Sequence, residues 1–182
     1  MALSGKDVTK ILVGGAELFT SPYVTNAGAG TFSSFGHTLE PTEWALEYED
    51  FDVVSELSIG RVKTVPINAN YSIKAVLGQN DPAAMLIMSR QLAAQLTGTP
   101  PNDNLAFSDP VEIYYQLKLV GVGFGTTKVD TYTFWRCQVA SVEPIQYAKA
   151  GVQRLAATWK VLRDDSIVAP TTNGFYAKRV ST

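Results

Sequence analysis

Residues 61–77 read RVKTVPINANYSIKAVL. Val65, Ile67, Ala69, Tyr71, Ile73, Ala75 and Leu77 fall on one parity, and Thr64, Asn68, Asn70, Ser72 and Lys74 fall on the other. Alternation with period two marks a strand with one buried face. Pro66 has no N–H for a ladder, which predicts an edge position or a bulge there. Upstream, Trp44, Leu46 and Tyr48 also alternate, and the parity slips near Asp50, so that Phe51, Val53, Leu57 and Ile59 continue on the other face. A one-residue slip is the signature of a bulge. The two runs meet at Gly60-Arg61, which predicts a long β-hairpin.

The hairpin is large for its chain. Strands of about 15 residues at about 3.3 Å each span roughly 50 Å. A chain of 182 residues folds to a globule about 40 Å across. The hairpin must therefore bend back at its bulges or project. Projecting edges carry unpaired backbone groups that recruit another chain, and a closed ring of identical chains removes such edges. Self-association on shared sheets is the expectation.

Further strands are predicted at 10–19, 111–122, 129–143 and 151–162, the second with Ile113, Tyr115, Leu117 and Leu119 alternating and the last with Leu155, Ala157, Trp159 and Val161 alternating. One helix is predicted from Pro82 to Thr97, capped by Asp81, stopped by Gly98, and burying Met85, Met88, Leu92 and Leu96. The segments 20–42, 98–110 and 164–182 lack a period and read as loops or arms. Tyr23, Phe32, Phe35, Phe175 and Tyr176 lie in the first and last of these. Aromatics in aperiodic segments need a partner, so these five are candidate contacts between copies, with both segments ordering on assembly. The fold class expected is mainly β, a β-sandwich or barrel with a long hairpin and one flanking α-helix, as one domain over 1–182 with N- and C-terminal arms and a long loop at 20–42.

Composition narrows the function. One His and one Cys exclude a polyhistidine metal site and an internal disulfide framework. No apolar run reaches the roughly 18 residues of a spanning helix, and Met1 to Lys10 lacks the apolar core of a secretory signal. His37 has no nucleophile-elbow pattern near it, and Cys137, in a strand beside Trp135, reads as a small buried hydrophobe. Glu47 and Glu49 share a strand face about 7 Å apart, a spacing that paired catalytic acids use and solvated strands also show. The Gly-rich stretch at 121–125 has no helix pattern after it and reads as a turn. No catalytic site, cofactor or metal is expected. The net charge of −2 conceals an asymmetry. Residues 11–60 hold eight acids and no Lys or Arg, whereas 61–182 hold thirteen basic residues against eight acids. Such a chain can dock front to back on its own copies.

The succession VTKILVGGAELF, a Gly-rich loop, TEWALEYED, RVKTVPINANYSIKAVLGQ, DPAAMLIMSRQLAAQL, late strands and a short arm resembles the tail tube proteins of long-tailed bacteriophages. The resemblance implies a virion protein assembled in the host bacterial cytoplasm. Its rings, usually of six subunits, stack into a hollow tube, with strands from each copy forming one inner barrel and with loops and arms bridging rings. The partners implied are further copies, the tape measure, tail terminator and distal tail proteins, and double-stranded DNA passing without specific binding, with no membrane. A basic channel would hold DNA through counterion release, whereas an acidic one lets it slide. Glu43, Glu47 and Glu49, with Asn68, Asn70 and Ser72 opposite, are the candidate lumen residues. The alternatives are a tail terminator, neck or capsid decoration protein of related fold, a monomeric ligand-binding β-barrel and, last, an enzyme.

Overall fold

The computed structural model describes residues 16–38, 40, 42–54, 61–77, 82–99, 102–122, 129–144 and 154–181. The expected N-terminal arm, the Asp81 cap, the tip of the hairpin before Arg61 and most of the Gly-rich turn after Val122 lie outside them. The chain is mainly β. In order it forms β1 (Glu17–Pro22), β2 (Ser33–His37), β3 (Glu43–Val54), β4 (Arg61–Leu77), α1 (Pro82–Met88), β5 (Leu96–Thr99), β6 (Asn102–Leu105), β7 (Tyr115–Val122), β8 (Val129–Val142), β9 (Leu155–Leu162), α2 (Pro170–Asn173) and β10 (Ala177–Ser181).

Every pairing is antiparallel, and the main sheet runs β2-β1-β7-β8-β9-β4-β3, with β10 on β8 and β5-β6 as a separate hairpin. Thr38, just after β2, bridges Leu77 at the end of β4. That bridge brings the two flanks of the sheet together as a nearly closed barrel. The interior follows from the alternation. Ile73, Ala75 and Leu77 of β4, Leu117 and Leu119 of β7, and Leu155, Ala157, Trp159 and Val161 of β9 are all buried. Trp159 lies at the centre, with Phe35 and Tyr115 edge-on to it at centroid distances of 6.0 and 6.2 Å.

β3 pairs with β4 from Glu43 opposite Lys74 to Val54 opposite Arg61, and the register shifts between Glu49 and Asp50. Glu49 stands opposite Asn68 and Asp50 opposite Pro66, so the extra residue is Ile67 on β4. The slip near Asp50 and the proline break are thus one irregularity. A proline beside an unpaired residue interrupts the ladder where it is already interrupted.

Three expectations are corrected. The helix has seven residues and ends at Met88 rather than continuing to Thr97. Arg90, at φ 57°, takes the left-handed position. The N–H of Gln91 then bonds Leu86 O, and that of Arg90 bonds Ile87 O, the paired bonds of a Schellman stop. Leu92 is half exposed and Leu96 begins a strand, while Gly98 serves the β5–β6 hairpin at φ 90°. Segment 20–42 is not one long loop: β1 reaches Pro22, β2 occupies 33–37, and only ten residues connect them. The C-terminal arm is not irregular: α2 covers Trp135, whose indole N–H donates to Asn173 O, and β10 extends the sheet along β8.

Candidate functional site

The hairpin and the sheet it leaves form the first candidate surface. Along their cross-strand register, Glu43 faces Lys74, Ala45 faces Ser72, Glu47 faces Asn70 and Glu49 faces Asn68. The six residues expected to line a lumen are therefore brought to one face by period-two geometry. Glu43, Glu47 and Asn70 are exposed and Ser72 is half-buried.

The charge on this face is more mixed than the acidic strand suggests. Lys74 pairs with Glu143 at 2.9 Å, and that hydrogen bond raises the lysine's pKa. Lys160 stands beside Ser72 in the β4–β9 register and is exposed. Glu43, Glu47 and Glu143 thus share the face with two lysines. β3 supplies the acids and its neighbours supply partial compensation, which composition by segment does not reveal.

The edges of the hairpin are the second feature. β4 has 17 residues, but β9 pairs with it only from Tyr71 to Leu77. From Arg61 to Asn68 its strand neighbour among the described residues is β3 alone. Among the described residues, β3 in turn has no strand on its far side. The described hairpin thus extends beyond its pairing with β9.

The five aromatics all find partners within the chain. Phe35 is buried against Trp159, so its partner is the core and not a second copy. Tyr176 stacks on Tyr71 at 4.5 Å. Phe175 lies under the guanidinium of Arg163 at 4.1 Å. Lys118 sits 4.7 Å from the rings of both Phe32 and Phe19. Tyr23 meets Tyr114 edge-on at 6.4 Å and donates its hydroxyl to Asp164 at 2.9 Å.

One residue missed in the sequence explains the ordered turn after β1. Gln116, on β7, is fully buried and donates from Nε2 to Val24 O and Gly28 O. Gln116 and Lys118 on β7, and Tyr114 just before it on the same parity, each hold part of residues 23–32 against the barrel wall. A glutamine at an outward strand position gives no sequence signal of this duty.

Trp44, Tyr71, Tyr132, Phe134, Phe175 and Tyr176 form the aromatic walls of a cleft of about 330 Å³, with Lys178 and Arg179 at its border. His37 ends β2 opposite Glu17. Cys137 is fully buried, and burial drives its thiol pKa far above the ordinary value. A thiol so held is a packing group.

No protein-family model matches the chain, and no curated protein matches it in sequence.

Proposed function

We propose that the chain is a structural virion protein that assembles into stacked rings, six copies to a ring, as the hollow tail tube of a long-tailed bacteriophage. The observation that carries this is the β3–β4 hairpin. Its 17-residue strand extends about 55 Å and is flanked by β9 over only seven residues, Tyr71 to Leu77. Open backbone edges of that length are stable when strands of neighbouring copies pair with them, and ring closure leaves none exposed. The outward face with Glu43, Glu47 and Asn70 then lines the lumen. Its Lys74 and Lys160 are offset by Glu43, Glu47 and Glu143, so the surface offers a passing polyanion no basic track. The further partners are those that cap and measure such a tube, at its two ends and inside it.

Electron microscopy of the purified chain at micromolar concentration tests the proposal. Long hollow rods are expected. Single rings would move the assignment to a terminator or neck protein, and a monodisperse monomer at every concentration would overturn it.

A further inference from the structure

The early stop of α1 has a second effect. A seven-residue helix is about 10 Å long and covers only part of the barrel wall beneath it. Beyond its end a cavity of about 450 Å³ opens between α1, the β1–β2 pair and the segment leading into β7. Phe35, Leu86, Ile87, Leu92, Ile113 and Tyr115 form its apolar lining. None of the described residues around it is Asp, Glu, Lys, Arg or His. In a chain with 15 basic and 17 acidic residues, an open cavity without a charge selects against charged occupants, because an ion entering it loses hydration without gaining a counterion.

The polar groups in the lining narrow the ligand further. Gln91 is buried, and its amide is engaged: Nε2 donates to Ser89 O and Ser108 O, and Oε1 accepts from Ser108 N. Ser21 donates to Pro22 O and Ser34 to Glu17. The Thr20 hydroxyl is closed off from solvent, so it offers an occupant of the cavity nothing to bond. We propose that this cavity binds a small neutral molecule through its apolar surface, without a hydrogen bond to the wall. The volume is that of an ordinary small-molecule site. The inference stands apart from the tube, since the cavity wall shares no residue with the β3–β4 hairpin.

The test is calorimetric titration of the full chain with three probes of one shape: 2-naphthol, 2-naphthoate and 2-naphthylmethylammonium. Saturable binding of 2-naphthol at one site per chain is expected, with a Kd of tens of micromolar, about what a ligand of this size attains. Binding of the two charged probes should be at least tenfold weaker. Ser33→Trp and Ala83→Phe, at exposed positions of the lining on β2 and α1, should each weaken 2-naphthol at least tenfold. Absence of saturable binding, equal binding of the charged probes, or unchanged binding in both variants would overturn the proposal. So would binding that emerges only as copies dissociate, which would place a neighbour's side chain in the cavity.

Discussion

Tyr23 donates its hydroxyl to the buried carboxylate of Asp164, 2.9 Å away in space and 141 residues away in sequence. The same carboxylate oxygen accepts from the backbone and hydroxyl of Ser166. The Ser166 hydroxyl in turn accepts the N–H of Asn26, and Asn26 Oδ1 accepts the N–H of Val168. Two aperiodic segments thus hold each other in place. Tyr23→Phe deletes a hydrogen bond to a charged group and should lower stability by about 1.5–3 kcal/mol in urea denaturation. Hydrogen exchange should accelerate in 23–28 and 164–168 together. Acceleration in only one of them would break the coupling.

Burial raises the pKa of Tyr23 and of Tyr115 above the ordinary 10.0. The folded chain therefore holds these protons more tightly than the unfolded chain. The stability they contribute is complete below pH 10 and declines as pH rises past it. Denaturation midpoints at pH 8 and pH 11 should differ accordingly, and Tyr115→Phe should shrink the difference. A midpoint that does not move between the two pH values would contradict this.

The turn at Thr25–Gly28 gives two opposed substitutions. Asn26 and Ala27 have φ of 58° and 51°, and the Gly28 N–H returns to Thr25 O, a type I′ turn. Ala27→Gly relieves a left-handed alanine and should stabilise by about 0.5–1 kcal/mol. Gly30→Ala should do the reverse. A methyl there would lie 2.2 Å from Ser21 Oγ and 2.5 Å from Gln116 Oε1, and overpacking of this kind costs about 1–3 kcal/mol. Thermal melts of the two variants should shift in opposite directions.

Cys137 should ignore thiol reagents in the folded protein. It is fully buried and its thiolate is suppressed, so a chromogenic disulfide at pH 8 should titrate no thiol until denaturant is added, and then one per chain. Prompt labelling without denaturant would mean that the core opens there.

Glu47→Lys with Glu49→Lys tests the lumen assignment. Both positions share one parity of β3, so rods should still form while DNA delivery by virions carrying the variant falls. Variant tubes that deliver DNA normally would remove these residues from the channel wall.

The alternation of 61–77 was enough to place β4, its buried parity and its hairpin partner, because a long half-buried strand writes its geometry into every second residue. The Asp50 slip and Pro66 were each visible, and their union at Ile67 needed the register. The helix was overread. Leu92 and Leu96 keep helical spacing after Met88, but Arg90 in the left-handed region ends the helix, and an arginine carries no sign of that conformation. The segments around Tyr23 and Asp164 were opaque for a related reason. Their order comes from long-range hydrogen bonds to Ser166 and Gln116, and polar side chains in loops look the same whether bonded or solvated. The face shared by Glu43 and Glu47 was legible, whereas Lys74 and Lys160 beside it came from strands whose neighbours only the sheet order reveals.

The bond between Tyr23 and Asp164, together with β10 on β8, sets a timetable. The turn after the first strand is completed by a segment 141 residues further along the chain, and β10, later still, completes one flank of β8. A ribosome-bound chain lacking residues after 163 cannot close either. These parts of the fold can therefore form only once that segment has emerged, since long-range pairing of this kind is slow and waits for the distant partner. For a protein with an open hairpin, the delay keeps nascent chains on neighbouring ribosomes from presenting a mature edge to one another.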